Sequence, residues 1–258
     1  MTKEPQITIV LLNYKRPQNI PIILESIKNQ SVPARVFLFN NGGINVNAED
    51  IDCYEESPVN LGCMARWKMA QKASTPYLMS LDDDICFKRN DALEKIIQSL
   101  EKQDNPNRAI GFFGLRFKKL PIYTMGKNME VGINQGNEDL HVDIVKGRVM
   151  AFRKDLLDGL NFPEEREDDI YLSALFAKKK RRFHRLPLAL ADSFTELEDF
   201  GVGNWQEPIH YSSRNRAVAI YFSANAAMAC ACIFLAAVYS RLRKIKRKLQ
   251  LPQFDSNR

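Results

Sequence analysis

The chain has 258 residues, 45% hydrophobic and 26% charged, which is enough apolar material for a sizeable core and argues against wholesale disorder. Its formal net charge is +6, yet residues 241–258 carry seven Lys/Arg against one Asp, so everything before them is neutral overall. A neutral body excludes the broad basic surface of a nucleic-acid binder and puts the need for an anionic partner in the tail.

Five cysteines, Cys53, Cys63, Cys86, Cys230 and Cys232, are an odd number without zinc-type spacing and are expected to be reduced thiols. The first six residues are short and polar, and the apolar run at 7–12 is too short for a signal-peptide core, so a cytoplasmic protein is expected.

In chain order, residues 7–12 form a nearly continuous aliphatic and β-branched run, the pattern of a strand buried on both faces of a parallel sheet. After a turn at 13–17, Ile20, Ile23, Leu24 and Ile27 repeat at helical spacing, and residues 36–39 give a second buried strand, stopped by Asn40-Asn41-Gly42-Gly43. Strand, helix and strand in this order predict a right-handed crossover. Helix follows over 60–73, strand over 77–81, helix over 93–100 and strand over 110–117. Residues 123–138, rich in Gly and Asn, predict a loop. Residues 142–152 are strand-like across Gly147, and 170–178 are helical.

The polar clusters fall at strand ends, where open parallel sheets bind ligands. Asp82-Asp83-Asp84 directly follows the strand at 77–81. Alternate residues of an extended segment point the same way, so Asp82 and Asp84 can converge on a hard divalent cation while Asp83 faces elsewhere. A second acidic cluster, residues 164–169, precedes a helix. Its first members suit the helix N-terminus electrostatically, and Asp168 or Asp169 is placed to deprotonate a hydroxyl. Arg16, in the turn after the first strand, can clamp a phosphate or stack on a base. Asn60-Leu61-Gly62 and Arg66 offer further polar contacts. His210 and Arg214 follow a Gly/Trp-bearing loop at 200–205, which reads as an acceptor lid. His210 is a candidate metal or phosphate group and Arg214 a candidate phosphate contact.

Taken in order, residues 7–216 resemble the nucleotide-sugar glycosyltransferases of the GT-A fold. Residues 7–16 resemble the opening strand and nucleoside-binding turn, Leu81-Asp82-Asp83-Asp84 the metal motif, Val145-Lys146-Gly147 the acceptor-side strand, and Asp168-Asp169-Ile170-Tyr171-Leu172-Ser173 the acidic motif opening the catalytic helix. Two branches fit. Family 2 inverting enzymes share Asp-x-x-Leu-Ser, with the base at the position of Asp169. Exostosin-like transferases share Tyr-x-Arg, Asn-Asn-x-Gly, an arginine at the position of Arg66 and Leu-Asp-Asp-Asp, and they imply retention. Both usually carry Glu-Asp where this chain has Asp168-Asp169, and the stereochemistry stays open.

The resemblance implies an α/β fold of GT-A type, a mostly parallel open sheet flanked by helices, and the residues after 216 add a C-terminal helical basic tail. It implies contact with a nucleotide-diphosphate-sugar, a UDP-sugar being expected, at Asn13, Arg16, Asn41, Asn60, Arg66, Asp82, Asp83 and Arg214. Mn²⁺ or Mg²⁺ is expected at Asp82, Asp84 and His210, with catalysis at Asp169 and Asp168. The acceptor is expected to be a hydroxyl of a saccharide or lipid-linked molecule in surface polysaccharide or glycolipid assembly.

The domain is read as residues 1–216, with an apolar helix and polybasic tail at 217–258. Residues 217–239 carry no charge and are long enough to cross a bilayer, but an interfacial helix on an anionic, cytoplasmic membrane face fits better. A helix packed on the domain or on a second subunit is the plain alternative. A second basic cluster at 178–185 either faces the same surface or ends a helix. A nucleotidyltransferase would want a Gly-rich phosphate loop at 13–17, which has no glycine. A catalytically silent membrane-bound adaptor of the same fold has no need of two acidic clusters.

Overall fold

The computed structural model describes residues 4–47, 50–117, 120–123, 130–163, 167–201 and 210–249, with side chains as far as 242. The strands are β1 (Ile7–Asn13), β2 (Arg35–Asn41), β3 (Cys53–Ser57), β4 (Tyr77–Asp82), β5 (Ile85–Phe87), β6 (Ile110–Gly111), β7 (Phe113–Leu115), β8 (Glu130–Gly132), β9 (Leu140–Val142), β10 (Ile144–Val145), β11 (Val149–Arg153), β12 (His184–Leu186) and β13 (Phe194–Glu196). The α-helices are α1 (Ile20–Lys28), α2 (Met64–Ala70), α3 (Ala92–Glu101), α4 (Asp168–Ala177), α5 (His210–Phe222) and α6 (Ala226–Leu249).

Among the described residues, eight strands make the main sheet in the order β3-β2-β1-β4-β11-β6-β12-β9. β1 runs parallel to both β2 and β4, and β2 parallel to β3, while β11 is antiparallel to β4 and β6. Every residue of β1 is buried, as the aliphatic run requires of a strand covered on both faces. α1 turns Ile20, Ile23 and Ile27 onto the sheet, and α2 buries Met64, Trp67 and Met69. The main core joins these residues to Leu78, Met79, Leu81 and Phe152.

Two expected strands are interrupted. The run at 110–117 divides into β6 and β7, with β7 pairing instead with β10 and β8 in a separate three-stranded sheet. The run at 142–152 divides into β9, β10 and β11. Asp143, fully buried between β9 and β10, draws the chain aside by accepting from the amides of Phe117 (2.7 Å) and Arg182 (2.8 Å) and from Arg181 Nε (2.7 Å). Residues 123–138, expected as loop, contribute β8 and a buried Ile133, because Val131 and Ile133 find apolar neighbours. Residues 124–129 lie outside the described residues.

A boundary after residue 216 falls inside α5, whose Ala217, Val218 and Phe222 complete a second core with Phe117, Ile144 and Ile170. The uncharged stretch 217–239 is not one helix. α5 ends at Phe222, and Asn225 opens α6 by accepting from the Met228 amide at 2.9 Å through its side-chain oxygen. No helix among the described residues is long and apolar enough to cross a membrane. α6 packs on the body through a narrow seam, Cys232 and Ala236 against Ala219 and Ile122. All five cysteines are free thiols.

Candidate active site

β1 has β2 on one side and β4 on the other, so the chain order reverses at the β1–β4 pair, where Leu12 lies opposite Asp82. That switch point is where open sheets of this kind hold ligands. A pocket of about 340 Å³ opens there. The turn after β1 and the end of β4 give it Tyr14, Arg16, Asp82, Asp83 and Asp84. The turn between β10 and β11 adds Lys146 and Arg148, the start of α4 adds Asp168 and Asp169, and α5 adds His210 and Arg214.

Arg66 lies below the pocket, 1% exposed, reached from α2. Its guanidinium donates to Asp168 Oδ2 through Nε (3.0 Å) and Nη2 (2.8 Å) and to Asp82 Oδ1 through Nη1. The indole of Trp67 donates to the same Asp168 oxygen at 2.7 Å. Burial pushes the Asp168 carboxyl up, and Arg66 opposes it. Gly147 closes over this group: a Cβ there would lie 2.6 Å from Arg66 Nη2. The two acidic motifs thus share one cation.

Arg16 is buried and pairs with Asp83 Oδ1 at 2.6 Å and with Asp199, while its Nε donates to the Asp199 carbonyl at 2.9 Å. Asp83 also accepts from the Tyr14 amide. Burial pushes the Asp83 carboxyl up to about 7, against the pull of Arg16 and that amide. Asn19 Nδ2 donates to the carbonyls of Asp83 (2.8 Å) and Glu198 (3.0 Å). The turn after β1, the acidic motif and the segment at 198–199 are therefore fastened together. Residues 202–205 of the expected lid lie outside the described residues, as do 164–166 of the second acidic cluster.

Asp84 receives Arg148 Nε at 3.1 Å, and Arg148 Nη1 reaches Glu196 at 2.7 Å. Burial and the nearby charge of Asp82 push the Asp84 carboxyl up, and Arg148 restrains it. Two carboxylates repelling each other at a pocket floor suit a divalent cation. Among the described residues no three His, Cys, Asp or Glu side chains gather as a closed metal cage. His210 lines the same pocket from the first turn of α5 without completing one with Asp82 and Asp84. A donor set of this kind fits Mg²⁺ or Mn²⁺ sharing its coordination with substrate phosphates.

Asp169, at the start of α4, is buried and pairs with Arg214 Nη2 at 2.6 Å. Burial pushes its carboxyl up, but Arg214, Lys146 and the Ile170 amide prevail and hold it below the ordinary carboxylate range. Arg214 lies over the Tyr123 ring at 4.5 Å, and among the described residues its Nε has no hydrogen-bond partner. Lys146 Nζ donates to Tyr123 Oη (2.6 Å) and meets Glu130 Oε1 (2.7 Å).

Nine of the expected residues border or underlie this pocket: Arg16, Arg66, Asp82, Asp83, Asp84, Asp168, Asp169, His210 and Arg214. Asn13, Asn41 and Asn60 do not line it. Asn13 braces the first turn through Asn40 (2.8 Å) and the Arg16 amide (3.3 Å), and Asn41 ties β2 to Asn60 (2.9 Å) and to the Leu61 amide (2.8 Å). Tyr123, Arg148 and Asp199 are not among the expected site residues, and Lys146 is named only within the Val145-Lys146-Gly147 motif. For Lys146 and Arg148 a signal exists, two cations flanking a glycine inside an apolar strand pattern. Tyr123 and Asp199 have none.

No family model matches the chain and no curated protein matches its sequence. Among solved structures it is similar to the mannosyltransferase PcManGT from Pyrobaculum calidifontis in complex with GDP-Man and Mn²⁺. That match has a TM-score of 0.55 and 17% identity, covering 98% of this chain and 82% of that one. It is also similar to S. aureus TarS 1-349, with a TM-score of 0.56, 12% identity and coverage of 84% and 65%. The same S. aureus protein in complex with UDP-GlcNAc gives a TM-score of 0.56 at 13% identity, covering 84% and 66%. Likeness at such identities is likeness of fold, and the fold is of the GT-A type.

Proposed function

We propose that this chain is a metal-dependent glycosyltransferase that moves a sugar from a nucleotide diphosphate, a UDP-sugar by the sequence resemblance, onto a hydroxyl of a saccharide or lipid-linked acceptor. One observation carries the reading: an acidic strand-end motif and an acidic helix-start motif face each other across one pocket at the sheet's switch point, with Arg214 beside them. That two solved neighbours hold nucleotide sugars, one with Mn²⁺, supports it by analogy of fold.

Asp82 and Asp84 would hold the Mn²⁺ or Mg²⁺, which when bound supplies positive charge to the diphosphate leaving group. Asp83 fixes Arg16 and the turn after β1, shaping the nucleoside side. Arg214, its Nε without a partner among the described residues, has an N–H left to offer a phosphate while Nη2 stays on Asp169. Asp169, kept ionised, would take the acceptor hydroxyl's proton in an inverting reaction or steady positive charge at the anomeric carbon in a retaining one. Asp168 holds Arg66 and so the spacing between the motifs. The work belongs to surface polysaccharide or glycolipid assembly at the cytoplasmic face of a membrane, with α6 and the basic residues at its end against an anionic lipid surface.

The test is calorimetric titration with UDP- and GDP-sugars, in Mn²⁺ and in chelator, on the wild type and Asp84→Ala. Metal-dependent binding of one donor, lost in the variant, is expected. A folded wild type that binds no donor under any condition would overturn the reading in favour of a silent adaptor.

A further inference from the structure

Two surface features that neither the sheet nor the pocket uses come together at the α5–α6 corner. The first is the outer side of α6. Up to Leu242, where the description of its side chains ends, only Cys232 and Ala236 of this helix are buried, whereas on the opposite side Phe234 is 67% exposed, Leu242 60%, Leu235 41% and Val238 37%. A contiguous apolar face of this kind is a recognised mark of an interaction surface. From Ala226 to Leu249 there is no acidic residue, and residues 241–248 contain six Lys/Arg.

The second feature is the loop after α4. Residues 178–182 read Lys-Lys-Lys-Arg-Arg and all five are exposed. The loop is a shaped turn rather than a fraying end: Lys178, Lys179 and Arg182 adopt left-handed φ values of 46°, 67° and 48°. Arg181 pins it to the body through Asp143, and Lys179 Nζ donates to the carbonyl of Ala224, in the turn that leads into α6, at 3.3 Å. The ring of Phe117 lies beneath Arg181 and against Phe222, the last residue of α5. The basic loop is thereby fixed beside the start of the exposed apolar helix.

We infer that the outer face of α6 and the 178–182 loop form one docking surface for an anionic lipid bilayer, with apolar side chains entering the interface and the loop cations and Arg241 meeting headgroups. This rests on the membrane-facing part of the proposed function and deepens it, because the second contact point fixes how the body sits on the lipid. The occupant follows from charge. A second copy pairing through α6 would bring basic helix ends and basic loops together with no acidic residue on α6 to meet them. A bilayer supplies both an apolar layer and anionic charge.

The test is flotation of the full chain with phosphatidylcholine vesicles, with and without phosphatidylserine, comparing the wild type with a Lys178→Gln/Lys180→Gln/Arg182→Gln variant. Arg181 and Lys179 are left in place because the fold uses them. Salt-sensitive flotation on the anionic vesicles alone is expected, weakened about a hundredfold in the variant. A Phe234→Trp variant should show a blue-shifted emission on the same vesicles. Wild-type protein that stays unbound, equal flotation of the variant, or a dimer in light scattering that seals Phe234→Trp from vesicles would each overturn the inference. Donor calorimetry on the same triple variant should be unchanged, so failure of the lipid surface and failure of the transferase reading are told apart.

Discussion

Arg66 and Asp168, 102 residues apart in sequence, meet at 2.8 Å with both side chains almost wholly withdrawn from water. Because Arg66 also holds Asp82, this single guanidinium sets the distance between the strand-end motif and the helix-start motif. Arg66→Met should therefore leave two carboxylates without their cation and lower stability by about 3–5 kcal/mol in urea unfolding. Adding Asp168→Asn should restore part of that loss. If the double variant is less stable than the single, the pair is not the source of the effect.

Asp84 and Asp169 have separable duties in the proposed reaction. Asp84→Asn should abolish the dependence of donor binding on Mn²⁺. Asp169→Asn should retain donor binding and lower turnover by about 10²–10⁴ if the carboxylate takes the acceptor proton. Isothermal titration and single-turnover assays on the two variants check this. Loss of donor binding in Asp169→Asn would move that residue from the acceptor side to the donor side.

How far this site could be read from the chain depended on range. β1, β2 and β4 were legible because a strand buried on both faces needs an unbroken apolar run, and the acidic motif stood out as the abrupt end of one such run. Three-residue strands such as β5, β8, β12 and β13 carry too few residues for a period to show. Asp143 was unreadable as a strand breaker, since its partners Phe117, Arg181 and Arg182 are brought to it only by the tertiary fold. The same holds within the site. Asp82, Asp168 and Arg66 could each be suspected from local pattern, but nothing local says that one arginine serves both carboxylates. Nor does it say that Asn13, Asn41 and Asn60 brace turns instead of lining the pocket.

Gly147 is a more delicate test of the same arrangement. Gly147→Ala would place a methyl 2.6 Å from Arg66 Nη2 and 3.4 Å from Asp168 Oδ1. Arg66 is held on three sides and cannot yield freely, so a loss of about 1–3 kcal/mol is expected from overpacking. In an Arg66→Ala background the added methyl has room, and the cost should largely vanish. A double-mutant cycle measures this coupling directly, and additive effects would show that the glycine is needed for some other reason.

His184 gives a prediction about pH that is independent of catalysis. It is fully buried in β12; its Nδ1 accepts from the Ala109 amide at 3.1 Å, so Nε2 carries the proton donated to the Ser173 carbonyl at 2.8 Å. That pattern requires the neutral ring. Burial lowers its pKa from 6.5 to about 4. Between those values the unfolded chain binds a proton that the folded protein does not. The stabilisation is therefore fully present above pH 6.5 and is lost as pH falls through 4, to a total of about 3 kcal/mol. His184→Asn removes the titrating group while keeping an acceptor near the Ala109 amide. Urea unfolding of both proteins at several pH values should show the wild type's advantage shrinking across this window. Curves that stay parallel would mean that His184 does not change its proton affinity on folding.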